Sequence, residues 1–301
     1  MSLILMNITG KTSVFGIVGN PISHSLSPLL HNFAFKEFGV DAIYVPFLFE
    51  IKQKKDEKLL KNLLINFNVK GLSVTIPYKF LAFKTADYKD NLSAFTKSSN
   101  TLINQNQKIH AYNTDGKGAL DALYDKTTLK DKNILIVGYG GSSSAIVGAI
   151  LLNDQPKNII ISGRNKQKGQ KLIRDLNKNI SHRSHCFFVE IEELSNSKSD
   201  ITIDDVDIII NTTPIGMKGN YENQNPLPEQ YIQKKHVVMD IIYNPQETQL
   251  LKIAKAKKAT IIEGYWMFLY QAAYQMELFL NKKIEKEFLN KLKNLLLKTL
   301  K

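Results

Sequence analysis

One segment constrains the fold of this chain more than any other. An apolar run at residues 134–137 leads directly into a glycine-rich turn and a helix start, formed by Gly138, Tyr139, Gly140, Gly141 and Ser142. Glycines allow the tight turn and let backbone N–H groups approach a pyrophosphate at a helix N-terminus, where the helix dipole favours negative charge. The segment therefore predicts a dinucleotide site. An isolated glycine-rich turn can also be purely structural, and Ser143 stands where the usual fingerprint has Gly or Ala.

Short β-branched runs alternate with longer amphipathic segments, a pattern typical of α/β proteins with parallel sheets. The predicted strands occupy residues 14–18, 42–49, 71–75, 134–137, 158–162, 186–189, 206–210, 236–240 and 260–263. Apolar residues three and four positions apart predict crossover helices at 26–38, 59–67, 142–152, 167–176 and 248–256.

The glycine-rich turn follows the first of six predicted strands in the second part of the chain. We therefore expect a Rossmann-type, doubly wound domain over residues 116–264. Residues 1–115 form a separate α/β unit in this interpretation. Two further predicted helices, at 265–280 and 283–300, return to complete that first domain.

Composition excludes several classes of protein. With 301 residues, 43% of them apolar, the chain can bury a core in each of two domains. It has no apolar run of membrane-spanning length and no secretory signal pattern at its start, so we expect a cytoplasmic protein. The single cysteine, Cys186, predicts a buried thiol, with no disulfide and no metal site. The net charge of +12 is spread along the chain, which favours a solvated basic surface over a nucleic-acid footprint.

A basic segment follows the second predicted strand of the dinucleotide domain. Residues 163–168 include Arg164 and Lys168 and no acid, at the position where an acidic residue usually binds the ribose hydroxyls of NAD. A guanidinium suits a 2′-phosphate, so the segment favours NADP over NAD. These two side chains could instead be surface residues that cap a helix.

Polar residues in the first domain cluster near predicted strand ends. Ser25 and Ser27 precede a helix that has Pro28 in its first turn, although Ser27 alone could be an ordinary N-cap. Thr75 and Lys79 follow the strand at 71–75, at the sheet edge where open α/β sheets bind ligands. A lone lysine is usually a surface residue.

A lysine beside a carboxylate would suit carbonyl reduction. Hydride addition to a ketone leaves an alkoxide, which a positioned ammonium can protonate and stabilise. A neighbouring carboxylate, such as Asp115 at the predicted domain junction, would hold that ammonium in its charged form and accept hydrogen bonds from substrate hydroxyls.

These motifs resemble, in order, those of the shikimate dehydrogenase family. The matching segments are 20–28, 73–79, 100–101, 113–115, 138–142, 211–217, 240–245 and 264–271. The sequence departs from the family pattern at three places: Ser73 replaces the commoner Asn, Gly163-Arg164-Asn165 keeps only the arginine of an N-R-T element, and residues 97–99 replace a run of small residues.

The resemblance implies a role for each matched residue. Lys79 would be the catalytic acid and base, with Asp115 as its partner. Ser25 and Ser27 would bind the shikimate carboxylate, and the remaining substrate ligands would be Thr75, Asn100, Tyr243 and Gln271. The cofactor would be bound by Gly138, Tyr139, Gly140, Gly141, Ser142, Arg164, Lys168, Ile241 and Gly264.

The implied activity is the reversible NADPH-dependent reduction of 3-dehydroshikimate to shikimate, in the chorismate pathway to the aromatic amino acids. The expected partners are this small-molecule substrate and NADP, without nucleic acid or membrane, in a monomer or homodimer. Use of quinate or of NAD is the nearest alternative. A non-catalytic protein that uses the basic surface of the same fold is a more distant one.

Overall fold

The protein is described by a computed structural model covering residues 8–50, 58–177, 185–196 and 201–300. In chain order, its strands are β1 (Ser13–Gly19), β2 (Ala42–Leu48), β3 (Val69–Val74), β4 (Tyr88–Lys89), β5 (Thr101–Gln105), β6 (Lys108–Tyr112), β7 (Asn133–Val137), β8 (Asn158–Ser162), β9 (His185–Phe188), β10 (Ile208–Asn211), β11 (Val237–Asp240) and β12 (Thr260–Ile262).

The α-helices are α1 (Ser27–Glu37), α2 (Leu59–Asn66), α3 (Lys79–Thr85), α4 (Asn91–Thr96), α5 (Thr114–Tyr124), α6 (Gly141–Asn153), α7 (Lys166–Asn177), α8 (Gln249–Ala256), α9 (Gly264–Leu280) and α10 (Lys286–Thr299). None of the helices in the described residues combines the length and the apolar character that a membrane span needs.

The chain divides into two compact units. The first unit comprises the described parts of Met1–Asp90, Ser99–Tyr112 and Ala272–Leu296, and the second those of Asn91–Ser98, Asn113–Gln271 and Leu297–Lys301. These boundaries differ from the expected ones, because α4 belongs to the second unit and α9 contributes its first part to the second unit and its last part to the first.

The first unit is built on a six-stranded mixed sheet with the order β2-β1-β3-β5-β6-β4. Strands β1, β2 and β3 pair in parallel, as expected, whereas β5 pairs antiparallel with both β3 and β6. The sequence pattern did not predict the β5–β6 hairpin. Its turn places Asn106 and Gln107 at φ of 51° and 64°, a conformation that such turns usually assign to glycine-containing pairs.

The second unit has six parallel strands in the order β12-β11-β10-β7-β8-β9. Counted from β7 as the first strand, this is the 3-2-1-4-5-6 order of the dinucleotide-binding fold, so the predicted Rossmann-type architecture is confirmed. All five residues of β7 are buried, and its side chains alternate between two apolar cores: Ile134 and Ile136 in one, Leu135 and Val137 in the other. Burial on both faces explains why this strand is a continuous apolar run.

Candidate active site

In the first unit, the loops after β1 and β3 lie side by side. The Thr75 N–H donates to the Val18 carbonyl at 2.9 Å, and the Asn20 N–H donates to the Ile76 carbonyl at 3.0 Å. A Cβ on Gly19 would lie 2.3 Å from Thr75 Cγ2, so a side chain at position 19 would push Thr75 away. The backbone thus holds Thr75 at the carboxyl end of β3.

Lys79 and Asn100 lie on adjacent stretches of backbone. The Lys79 carbonyl accepts from the Ser99 N–H at 3.0 Å, and the Asn100 carbonyl accepts from the Val74 N–H at 2.7 Å. Asn100 is buried and Lys79 is half-buried. The structure therefore brings together two of the predicted site residues, 21 positions apart in the chain.

Helix stability does not account for a lysine at position 79. Lys79 is the first residue of α3. The positive end of the helix dipole favours acidic residues there and disfavours a cation. The helix dipole therefore gives no reason for a lysine at this position.

Ser25 and Ser27 lie at the start of α1 in an arrangement that differs from an ordinary N-cap. Among the described residues the N-cap position is Leu26, without a side-chain cap, and the Ser25 hydroxyl accepts from the Ser27 N–H at 3.3 Å. The structure does not support the interpretation of Ser27 as the cap. Ser27 is buried and Ser25 is half-buried.

In the second unit, Gly138 has the backbone that the predicted turn requires. Its φ is +115°, and a Cβ there would lie 2.4 Å from Thr212 Oγ1. The Ser143 hydroxyl donates to the Gly138 carbonyl at 2.9 Å. This bond gives the unusual serine of the fingerprint a structural role, because it closes the turn onto the first turn of α6.

The start of α6 is open on the side of the turn. Gly140 is the N-cap residue, and nothing lies within 4 Å of where its Cβ would be. Because the N-cap residue is a glycine, it has no side chain that could cover the start of α6. Gly141 is exposed and Ser142 is half-buried. This arrangement fits the pyrophosphate of a dinucleotide.

The basic segment after β8 lies next to this turn. A Cβ on Gly163 would lie 2.7 Å from Tyr139 Cε1, so the tyrosine ring packs on the Gly163 backbone. Arg164 and Lys168 are both exposed, and the Asn165 side chain, not theirs, caps α7 by accepting from the Lys168 N–H at 2.9 Å. The two cations are thus not engaged in capping α7, and their charge fits a phosphate.

The remaining cofactor candidates lie at the ends of β11 and β12. The Ile241 N–H donates to the Asn211 carbonyl at 3.2 Å. A Cβ on Gly264 would lie 2.3 Å from the Ile242 carbonyl oxygen, so only glycine allows α9 to start this close to that loop. Tyr243 stacks on Phe268 of α9, with 4.4 Å between ring centroids.

Asp115 and Gln271 lie on two helices in contact. A Cβ on Gly118 of α5 would lie 2.7 Å from the Gln271 backbone nitrogen on α9. Asp115 is three residues before Gly118, so it shares that face of α5. It is 8% exposed and lies in the first turn of α5, where the helix dipole stabilises a carboxylate. The Gln271 side chain is also buried and donates to the Phe268 carbonyl at 3.0 Å.

Asp240 is a buried acid whose role our interpretation of the sequence missed. Its carboxylate accepts from Thr248 Oγ1 at 2.7 Å and from Asn211 Nδ2 and the Ile242 N–H, both at 3.1 Å. Burial raises the pKa of Asp240 to about 6. The carboxylate thus ties together the ends of β10 and β11. The sequence carries one signal for this role: Asp240 is an acid at the end of the apolar run of β11.

Lys79 belongs to the first unit and Asp115 to the second. Their pairing is therefore part of the function proposed below.

Two family models match the chain. The shikimate dehydrogenase substrate binding domain matches residues 17–102, and the shikimate / quinate 5-dehydrogenase model matches residues 121–246. A curated shikimate dehydrogenase (NADP(+)) of Methanosphaera stadtmanae is 43% identical over 275 residues, which are 91% of this chain and 94% of that protein.

The chain belongs to the shikimate dehydrogenase family. A crystal structure of shikimate dehydrogenase in complex with NADP+ aligns with a TM-score of 0.86 and 33% identity, covering 98% of both chains. The shikimate 5-dehydrogenase of Listeria monocytogenes, in complex with shikimate and NAD, aligns with a TM-score of 0.84 and 28% identity, covering 96% of this chain and 98% of that one.

The candidate residues divide between the two family models. The shikimate dehydrogenase substrate binding model spans Ser25, Ser27, Thr75, Lys79 and Asn100. The second model spans the glycine-rich turn, Arg164, Lys168, Ile241 and Tyr243. Asp115, Gly264 and Gln271 lie outside both matched ranges.

Proposed function

We propose that this chain is an NADP-dependent shikimate dehydrogenase that interconverts shikimate and 3-dehydroshikimate. The observation that carries the proposal is the similarity over nine-tenths of the chain to a protein of that name, together with the family's substrate-binding and dehydrogenase models. The open glycine-rich turn on a doubly wound sheet supports it independently.

The second unit would hold the cofactor. In this proposal the backbone of Gly138–Ser142 binds the pyrophosphate. The guanidinium of Arg164 pairs with the 2′-phosphate, together with the ammonium of Lys168, four positions further along the chain. Ile241 and Gly264 would border the nicotinamide. Glycine at position 264 lets the start of α9 lie close to the backbone of Ile241 and Ile242. When bound, NADP accepts the hydride from shikimate, or NADPH returns it to 3-dehydroshikimate.

The first unit would supply most of the substrate ligands. Ser25 and Ser27 would donate hydrogen bonds to the carboxylate of the substrate, and Thr75 and Asn100 would bind its hydroxyls. Tyr243 and Gln271 would contribute from the second unit. Hydroxyl and amide groups suit such a ligand because they orient a polyhydroxylated ring without adding a net charge.

Lys79 would move the proton. In the reduction its ammonium donates a proton to the carbonyl oxygen as negative charge develops there, and in the oxidation its amine accepts the proton of the hydroxyl. Asp115 would keep the lysine oriented and favour its charged state. Both are proposed roles that follow from the residue types and from the family's motif.

Substitution of Lys79 tests the proposal. Purified wild-type protein should reduce NADP when shikimate is added, as monitored by the absorbance of NADPH. Lys79→Ala should lower kcat by about 100-fold or more, the scale of general acid catalysis, with a much smaller change in KM for shikimate. Lys84→Ala is the matched control, because Lys84 lies on the same helix and is exposed.

Two results would contradict the proposal in different ways. A wild-type protein that is inactive toward shikimate with either NADP or NAD refutes the function. An active enzyme whose Lys79→Ala variant keeps near-normal kcat refutes the role of the lysine. Quinate assayed in parallel measures the substrate range.

The wider properties are proposals on the same basis. We propose a cytoplasmic enzyme that is a monomer or a homodimer, with shikimate, 3-dehydroshikimate and NADP as its partners.

A further inference from the structure

A chain of buried polar side chains runs through the core of the first unit. The Tyr44 hydroxyl donates to Ser73 Oγ at 2.7 Å, and the Ser73 hydroxyl donates to Gln275 Oε1 at 2.7 Å. Gln275 Nε2 donates to Thr101 Oγ1 at 3.0 Å, and the Thr101 hydroxyl donates to Asn100 Oδ1 at 3.1 Å. The chain thus connects β2, β3, α9 and β5, and it ends on a proposed substrate ligand.

The direction of each bond at the Asn100 end follows from one contact. Gln275 Nε2 lies 3.4 Å from the Asn100 backbone carbonyl, which can only accept a hydrogen bond. The amide nitrogen of Gln275 must therefore face β5, where it also donates to Thr101. Because Thr101 Oγ accepts from Gln275, its own proton is directed to Asn100 Oδ1. The oxygen of the Asn100 side chain is then held on the Thr101 side, and its amide nitrogen points the other way.

The other end of the chain lies near a second substrate ligand. Burial raises the pKa of Tyr44, and hydrogen bonds with Ser73 and Ser27 partly oppose this rise. Tyr44 therefore remains a phenol that links these two serines. The ring of His31 stacks on Tyr44, with 4.2 Å between centroids and 3° between planes, which holds the phenol in place.

Burial makes this network costly unless it is complete. Ser73, Gln275 and Thr101 are exposed by 3%, 2% and 0%. Apolar side chains of similar size would fill the same space without needing partners, whereas a network with one member missing leaves buried groups unsatisfied. A chain of polar groups that ends on Asn100 is therefore better explained by a requirement on Asn100 than by packing.

We propose that Gln275 and Thr101 are positioning residues for substrate binding, which orient the side-chain amide of Asn100 so that it meets a ring hydroxyl of the substrate as a hydrogen-bond donor. This inference rests on the proposed function, in which Asn100 is a substrate ligand. It assigns a role to Gln275, which lies outside the motifs, and to Thr101, which the motif at residues 100–101 contains without giving it a role.

Substitution of Thr101 tests the proposal. Thr101→Val keeps the shape of the side chain and removes the hydroxyl, so Asn100 Oδ1 loses the hydrogen bond from Thr101. We expect KM for shikimate to rise by about 10-fold, the scale of one hydrogen bond, while KM for NADP and kcat stay within about 2-fold of wild type. Thr101→Ser restores the hydroxyl and should bring KM for shikimate back to near the wild-type value.

A purely structural role predicts a different result. In that case Thr101→Val lowers the melting temperature and leaves KM for shikimate unchanged, which would overturn the proposal. If Thr101→Val does not fold, Gln275→Met replaces it. Methionine keeps the length of the side chain and removes the amide hydrogen bonds with Ser73, Thr101 and the Asn100 carbonyl, so the same rise in KM is expected. An unchanged KM in the folded Gln275→Met variant also overturns the proposal.

The wild-type enzyme separates this inference from the function on which it rests. A wild-type protein without shikimate oxidation refutes the function itself. An active wild-type enzyme with an unaltered KM for shikimate in the variants refutes only the positioning role.

Discussion

Acid should destabilise the first unit through His31. This histidine is fully buried among Phe35, Tyr44 and Phe279, and burial lowers its pKa to about 3, with the side chain of Gln275 partly opposing the shift. Because the pKa is lower in the folded state than its ordinary value of 6.5, the unfolded state binds more protons below pH 6.5. The contribution of His31 to stability is therefore complete above pH 6.5 and is lost as the pH falls toward 3.

The magnitude follows from the interval of pH. At pH 5 the folded protein still holds His31 neutral, whereas the unfolded chain has protonated it. Each pH unit below 6.5 then costs about 1.4 kcal/mol, so the free energy of unfolding should fall by about 2 kcal/mol at pH 5 relative to pH 8 through this group alone. This is a sizeable fraction of the roughly 5–15 kcal/mol that stabilises a typical domain.

The assay is urea unfolding followed by circular dichroism at pH 8 and pH 5. His31→Phe keeps a planar ring against Tyr44 and cannot titrate, so its loss on going to pH 5 should be about 2 kcal/mol smaller than that of wild type. Phe35→Leu, on the same helix, removes packing without removing a titratable group and should keep the wild-type difference. Equal losses for wild type and His31→Phe would refute the reasoning.

Three further predictions concern the second unit. In thermal unfolding, Gly138→Ala should cost about 2–4 kcal/mol of stability, because it adds a clash with Thr212 to a strained φ, and it should also weaken NADP binding. The control is Gly219→Ala, at a φ of +106° with open space around it, which should cost only about 1–2 kcal/mol. Arg164→Ser should raise KM for NADP by about 10-fold or more and leave KM for NAD nearly unchanged, with the exposed Arg174→Ser as the control in steady-state assays. As the pH rises from 3.8 to 7, the free energy of unfolding of wild type should fall by about 3 kcal/mol relative to that of Asp240→Asn, measured by urea unfolding. The raised pKa of about 6 means that the stability contributed by Asp240 is complete below 3.8 and lost as the pH rises through 6. A parallel pH dependence for the two proteins would contradict this assignment.

Much of the fold was predictable from local sequence. The strands that lie in the middle of each sheet are apolar on one or both faces, so β1, β3, β7, β8 and β10 appear as β-branched runs at nearly their observed positions. The glycine-rich turn was equally clear, because its backbone conformation, with a positive φ at position 138, favours glycine. Such features depend on a few neighbouring residues and their side-chain volumes.

The hairpin β5–β6 and the short strand β4 were not predictable in the same way. They carry polar residues such as Asn104, Gln105 and Lys108, and they become strands only because β3 and the neighbouring strands supply hydrogen-bond partners. Helix α4 likewise belongs to the second unit because it packs against α6. The end of α4 at Thr96 and the start of α6 at Gly141 are 45 positions apart in the chain, so the local sequence does not reveal this contact.

The candidate site shows the same division. The sequence alone names Lys79, Asp115, the serines at 25 and 27 and the dinucleotide turn as candidates, since each belongs to a short motif that resembles one of the family. Only the tertiary structure revealed that Gln275 reaches Thr101 across 174 positions, or that Asp240 is buried with three donors around it. Motifs are local because a turn or a strand end is built from consecutive residues. Burial and hydrogen-bond partners depend instead on which distant segments the folded chain brings into contact.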